Sequence, residues 1–523
     1  MEYSSIEGNG LPAKSFLFFK ITTQVVMSEK SAAAYLDTCT YRVDTNIIDL
    51  CQIKIMLSVS FENCFGDKRL DKRGNECVRR LLVKGTHAIR QISLTSAEQK
   101  GYYRFLKNKR TSTKAITTGI SSRCAKAIKG KVVLSIQDTS EINLYNHKNR
   151  ISKDNSVGTT NAPKNGLGFF IHPSLVVDAA TCFPYGYCDI RMWNRSLVRE
   201  VKKAKDKHKY QKLTIEQKES NKWQASSKAA KTILKEAETV IIVQDREGDI
   251  YEQFATIPDA KTHLLIRAKS DRSLPEGGKL FNKVSMCNVA GTYHIKIDGD
   301  KRKGQKKRIA ELEVRFTEVE IKNCSRTAKE AASTVTLWCV EAKEVGGSAK
   351  QPICWRLLTT IPVITLNEAL QIIEWYSWRW MIEEVFRILK KEGFDIEASE
   401  LEKGESIKKL CLLMLDAIIK IFQMRIAWDE PEEAGLPAGI CFTEKEMECV
   451  EMQCKKMEGK TEKLKNHSKK NTLRYATWVI ARLGGWKGYK SERKPGITTL
   501  WIGLEKFYDT YNGWMLALDV STR

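Results

Sequence analysis

Two apolar runs in this 523-residue chain end in the same pair of residues: Ser135-Ile136-Gln137-Asp138 and Ile242-Val243-Gln244-Asp245. Short apolar runs of this kind read as buried strands. An acid at the carboxyl end of such a strand projects into the crevice where α/β sheets bind ligands. Two such strands side by side would bring two carboxylates together, which is costly unless a cation neutralises them. Mg2+ suits that role, because it takes oxygen ligands and keeps positions open for substrate phosphate. Two such ions on shared carboxylates make a phosphoryl-transfer site. Taken alone, each aspartate reads equally as a cap on the helix that follows it.

A third acid lies further along. Tyr376, Arg379, Glu383 and Lys390 are spaced three, four and seven residues apart. On one long helix from about Asn367 to Lys391 they fall within about 60° of one another. Trp375, Trp378, Ile382, Phe386 and Leu389 take a neighbouring flank and can pack inward. The stripe offers a carboxylate for metal, two cations for phosphate and a phenol donor. A Glu–Lys surface stripe is the alternative, but it explains neither the tyrosine nor the strand-end aspartates.

The elements that must position these groups follow from the pattern. Strands are expected at 132–136, 167–180, 239–243, 264–266 and 334–340, with a charged, helix-like stretch over 198–238. Strands alternating with helices indicate an α/β sheet. A β-rich insertion is expected over about 262–360, interrupted by the basic run Lys301, Arg302, Lys303, Gly304, Lys306, Lys307, Arg308. Ahead of the sheet, residues 61–114 are helical and basic, with Arg69, Lys72, Arg73, Arg79 and Arg80 at helical spacings and Tyr103, Arg104 and Phe105 after them. This fits a small DNA-binding domain gripping phosphates through Arg and Lys; a solvated surface of paired helices is the alternative. Four segments result: 1–55 unassigned, 56–125 helical and DNA-binding, 126–400 catalytic, and 401–523 helical.

Composition agrees. Lys and Arg number 87 against 63 Asp and Glu, a net charge of +24 that favours an anionic partner such as nucleic acid. The hydrophobic share of 42% excludes a disordered or fibrous chain. Fifteen cysteines occur without a C-x-x-C, so neither a zinc ribbon nor a redox pair is indicated, and free thiols are expected. The apolar stretch 410–424 contains Asp416 and Lys420, so it reads as a buried amphipathic helix and not a membrane span.

The spacing Tyr376-x-x-Arg379-x-x-x-Glu383-x-x-x-x-x-x-Lys390 resembles the signature of the insertion-sequence transposases called IS-four. Asp138-Thr139-Ser140-Glu141 and Asp245-Arg246-Glu247-Gly248-Asp249-Ile250 resemble that family's first and second catalytic motifs. Gly66-Asp67-Lys68-Arg69-Leu70, Gly166-Leu167-Gly168-Phe169 with His172-Pro173, Trp355-Arg356-Leu357-Leu358-Thr359 and Gly484-Gly485-Trp486-Lys487-Gly488-Tyr489 extend the likeness over about 61–514. Residues 1–55 have no counterpart, and Gly248 stands where relatives often carry alanine, a change expected to be harmless.

The resemblance implies an RNase H-like core with a β-rich insertion, flanked by helical N-terminal DNA-binding and C-terminal domains, the latter for dimerisation. It implies that Asp138, Asp245 and Glu383 are catalytic and bind two Mg2+ ions, for which Mn2+ can substitute. Tyr376, Arg379 and Lys390 would grip the terminal phosphate, and Arg267 and Lys269 would contact DNA. A hairpin intermediate requires a base to leave the stack, which an aromatic platform can offset; Trp355 would receive that base and Trp380 help expel it. Arg69, Arg73, Tyr103 and Arg104 would meet the terminal repeats. The implied partners are double-stranded DNA, both transposon ends and target, and a second subunit in a synaptic homodimer, with no membrane. The implied setting is a prokaryotic-type cytoplasm at the nucleoid. A catalytically silent end-binding regulator and an RNase H-like nuclease that does not join strands are the competing readings.

Overall fold

The computed structural model describes residues 61–521 apart from 153, 162–165, 198–212, 298–306, 324–330, 347–351, 392, 433–434 and 490–491. Residues 1–55, the charged stretch over 198–212 and the basic run over 301–306 therefore lie outside the described residues.

The chain opens with helices α1 (Lys68–Lys84), α2 (Ile89–Ile92), α3 (Ser96–Lys107) and α4 (Thr113–Ala127). Their ends are set locally. Asp67 accepts the Arg69 N–H at 2.9 Å, and Gly85, at φ +56°, closes α1 by donating its N–H to the Leu81 carbonyl at 2.9 Å. Thr95 and Ser112 cap α3 and α4 in the same way.

The strands then run β1 (Val132–Gln137), β2 (Ser140–Asn143), β3 (Gly158–Thr159), β4 (Leu167–Asp178) and β5 (Pro184–Trp193). Helix α5 (Asn221–Ile233), β6 (Thr239–Gln244), α6 (Tyr251–Thr256) and β7 (Thr262–Arg267) follow. β1 pairs in parallel with β6, and β6 with β7, while β4 is antiparallel to β1 and β5 to β4. β1 and β6 are buried from their second residue to their last, as central strands covered on both faces must be.

Beyond β7 come α7 (Leu280–Ser285), β8 (Gly291–Ile297), β9 (Arg308–Lys322), β10 (Thr334–Val345) and β11 (Cys354–Thr359). These strands form an antiparallel meander, and β11 hydrogen-bonds to β7, so they continue the same sheet. The strands expected at 132–136, 167–180, 239–243, 264–266 and 334–340 correspond to β1, β4, β6, β7 and β10, while the other strands were not located individually, and the result is a mixed α/β fold around one large mixed sheet.

The expected single helix over 367–391 is two helices, α8 (Leu366–Ser377) and α9 (Trp380–Lys390). At the join the hydrogen bonds tighten to the i−3 pattern, from Arg379 N–H to the Tyr376 carbonyl at 3.1 Å and from Met381 N–H to the Trp378 carbonyl at 2.9 Å. Tighter winding interrupts the regular helix there, yet Tyr376 and Glu383 both still lie beside the Arg379 guanidinium.

The C-terminal third holds α10 (Gly404–Ala427), α11 (Glu444–Met457), α12 (Leu473–Leu483) and α13 (Ile497–Ser521). Helix α10 also departs from expectation. It is not amphipathic: every residue except Glu405 and Arg425 is buried. Helices α1, α3, α4, α9, α12 and α13 and strand β5 all pack against it. Its polar groups are matched by partners. Arg123 of α4 forms an ion pair with Asp416, with one N–O distance of 3.2 Å. Lys409 donates to the Leu106 and Asn108 carbonyls at 3.0 and 2.9 Å, and Gln423 to the Pro184 carbonyl at 2.9 Å. Buried polar groups persist only with such partners. Among the described residues no helix is long and apolar enough to cross a membrane.

Removing one partner of the Arg123–Asp416 pair strands a buried charge. Asp416→Leu is expected to lower unfolding free energy in urea by about 3–5 kcal/mol, and the Arg123→Met/Asp416→Leu double variant to regain most of it. A loss below about 1 kcal/mol in the single variant would show that the pair does not hold α4 to α10.

Candidate active site

The parallel register aligns Ile136 with Val243, so Asp138 and Asp245, two residues on, leave neighbouring strands at the same level. Asp138 accepts the Thr139 N–H at 2.7 Å through one oxygen. Asp245 begins a single 3-10 turn over Arg246–Gly248 and accepts the Glu247 N–H at 2.8 Å. The capping role and the strand-end role thus coexist in Asp245.

Helix α9 brings Glu383 to the same place, and Arg379 stands between the acids. Its guanidinium is 3.1 Å from Asp138 Oδ2 and 2.5 Å from Glu383 Oε1. One cation therefore spans two carboxylates, within the field of the third. Burial, and then the charges of Asp245 and Glu383, push the Asp138 carboxyl up to about 7 even though Arg379 pulls it down. Burial likewise raises Asp245 and Glu383. The site thus carries more negative charge than one guanidinium neutralises, and a hard divalent cation on carboxylate oxygens would supply the remainder. As the side chains stand, no group of three or more His, Cys, Asp or Glu among the described residues is gathered closely enough to hold a metal ion.

The other predicted residues divide. Tyr376 is buried, with its ring packed T-shaped with Trp355 at 5.7 Å between centroids and the Arg379 guanidinium 6.0 Å from its own centroid. Burial raises its hydroxyl pKa, and the charges of Arg379 and Arg267 oppose the shift. Arg267 ends β7 and donates to the Cys354 carbonyl at 3.0 Å, beside β11, which carries Trp355. Trp380 is 47% exposed, 5.3 Å from the guanidinium. These residues gather around the acids. Lys390 instead pairs with Glu397 at 3.4 Å, and Glu397 also accepts the Asn143 N–H at 2.9 Å. Lys269 is exposed, and its backbone N–H donates to Asp249 at 2.8 Å. Arg69 is exposed beside Asp67 on α1, and Arg104 is exposed on α3 with Tyr103 half-buried. Arg73 lies across Gly101, where a Cβ would meet its guanidinium at 1.7 Å, so α1 and α3 carry these groups side by side.

Sequence reasoning overlooked the layer beneath. Gln137 and Gln244, the residues before the two aspartates, are fully buried. The Gln244 amide donates to Gln137 at 2.8 Å and to Ser227 at 3.0 Å, and Gln253 donates to Gln244 at 2.9 Å and to the Gly248 carbonyl at 2.8 Å. This amide network ties β1, β6, α5 and α6 together under the acids. The repeated Gln-Asp pair was the available signal. Thr139 is held similarly, 2.9 Å from Nδ1 of the buried His172. Asp249 also went unassigned; its side chain is 1% exposed and pairs with Arg272, anchoring the loop after β7.

Gly248 lies directly against this network. A Cβ there would lie 2.2 Å from Gln244 Oε1 and 2.8 Å from Gln244 Cβ. Gly248→Ala is expected to cost about 1–3 kcal/mol, measured by urea unfolding. A neutral result would mean that the network yields without loss.

The Asp138 carboxyl also makes stability depend on pH. Its folded pKa, about 7, lies above the ordinary 3.8, so the folded state holds the proton more tightly and loses stability as pH rises between those values. In EDTA, Asp138→Asn is therefore expected to raise the melting temperature at pH 8, by an amount worth a few kcal/mol, and to leave it unchanged near pH 3. A uniform effect across pH would contradict the assignment.

A family model described as transposase DDE domain matches residues 211–419, which include Asp245, Arg379 and Glu383. A solved structure, the piggyBac transposase synaptic complex with hairpin DNA, is 8% identical with a TM-score of 0.35, over 74% of this chain and 77% of that chain; a likeness so distant carries no argument. Residues 211–419 thus match a transposase DDE domain, which supports a metal-dependent enzyme acting on DNA.

Proposed function

We propose that this chain is a cut-and-paste transposase of the IS-four family that cleaves DNA at transposon ends and joins them to target DNA. One observation carries the reading: register-matched strands deliver Asp138 and Asp245 together, and α9 adds Glu383, all against one guanidinium. The strand order β5-β4-β1-β6-β7, with β1, β6 and β7 parallel, supports an RNase H-like core.

In this reading Asp138, Asp245 and Glu383 hold two Mg2+ ions. When bound, the ions activate the attacking hydroxyl and stabilise the leaving oxygen. The chain's own residues orient the DNA. Arg379 and the buried Tyr376 hydroxyl offer donors to the terminal phosphate, and Arg267 extends the cationic wall. Trp355, packed T-shaped with Tyr376 and partly exposed, offers an aromatic ring for an extrahelical base, which supports a hairpin intermediate. The exposed Trp380 ring stands at the rim. Helices α1 to α4 form the DNA-binding domain over 56–125, the catalytic domain spans 126–400, and 401–523 serves dimerisation of two subunits on two ends. Lys390 belongs to this DNA-contacting set only if it exchanges Glu397 for phosphate. The protein would work at the nucleoid of a prokaryotic-type cytoplasm.

The test is cleavage of labelled DNA carrying the element's terminal repeats, in Mg2+ or EDTA. Nicking at the repeat boundary in Mg2+ is expected, and Glu383→Ala should reduce it at least about a hundredfold, since metal stabilisation is worth several kcal/mol. Binding without cleavage would favour the silent regulator, and cleavage without joining a nuclease.

A further inference from the structure

The guanidinium of Arg379 stands where two carboxylate oxygens converge. Asp138 Oδ2 and Glu383 Oε1 both point at it, at 3.1 and 2.5 Å. The Arg379 side chain is 11% exposed, and its buried Nε has no hydrogen-bond partner. Arginine does not lose its proton at any accessible pH, so it leaves this position only by moving. The turn at 378–379, where α8 gives way to α9, is where the side chain attaches. The half-exposed Trp380 ring, 5.3 Å from the guanidinium, offers a face toward the rim of the site.

We propose that Arg379 is an internal counter-cation that holds the acids together in the DNA-free protein and excludes divalent metal until a DNA phosphate draws its guanidinium away. The inference rests on the reading of Asp138, Asp245 and Glu383 as a metal site on a DNA-processing enzyme. Its physical basis is competition, since a guanidinium seated among these oxygens repels a divalent ion brought to the same place and takes up lone pairs that the ion would use. A phosphate that takes the guanidinium frees those oxygens. Linkage then requires that DNA tighten metal binding by the same factor by which metal tightens DNA binding. Metal would be loaded where an end is already bound, and the DNA-free enzyme would be spared unproductive cleavage.

Ca2+ binding, followed by isothermal titration, tests this without turnover. In the DNA-free full-length protein, Arg379→Gln is expected to bind Ca2+ about tenfold more tightly than wild type, within the usual range of coupling between sites. In wild type, a duplex with a 5′-phosphorylated end should tighten Ca2+ binding, after subtraction of what the duplex binds alone. In Arg379→Gln the duplex should have little further effect. Unchanged or weaker Ca2+ binding in a folded Arg379→Gln, or no effect of duplex on wild type, overturns the proposal; the wild-type comparison stands even if the variant does not fold. Asp245→Asn separates the two layers. Ca2+ binding that is absent throughout, or indifferent to Asp245→Asn, sinks the metal-site reading and this inference with it. Binding that depends on Asp245 but not on Arg379 or duplex sinks the inference alone.

Discussion

Everything about this molecule's centre follows from one pairing: β1 beside β6, parallel, with Ile136 opposite Val243. Backbone hydrogen bonds in that register force two aspartates to the same edge of the sheet at the same height. Left alone they would repel, and Glu383 adds to the burden. The fold answers with a single cation from a different part of the chain, held at a break between two helices. The sheet brings the charges together, and the helical turn keeps that arrangement tolerable.

Beneath the charges the fold uses neutral polarity. Three glutamines and a serine exchange hydrogen bonds where no water reaches. Such a network restricts each strand end to one geometry, because a displaced amide loses several bonds at once. Gly248 belongs to the same device, since its missing side chain leaves room for Gln244. The acids therefore sit on a floor that resists small displacements, which a site working by position needs.

The central strands and the broad helical regions were legible because their signals are local. Apolar runs marked β1, β4 and β6. The three acids were legible because strand ends and helical spacing predict projection. What stayed hidden depended on distant partners. The break at Trp378–Arg379 leaves no proline or glycine in the sequence, and a 3.6-residue period passes over it. Arg379 reads as a phosphate ligand until the fold shows which acids it meets. Lys390 reads as its companion until Glu397, brought from beyond the helix, takes it. Helix α10 reads as amphipathic because Asp416 and Lys420 mark a polar side, yet Arg123 and the Ile440 carbonyl lie waiting there.

Helix α10 also sets an order of events during synthesis. The N-terminal helices α1, α3 and α4 bury their apolar faces against it, yet it is made more than half a chain later. At ordinary elongation speeds of about 5–20 residues per second, the ribosome needs roughly twenty seconds to a minute to reach it after α1 emerges. Through that interval α1, α3 and α4 lack the helix against which they finally pack. Nascent chains are thus exposed to chaperones and proteases for most of their synthesis, and the first helices reach their final packing only when the last third of the protein arrives.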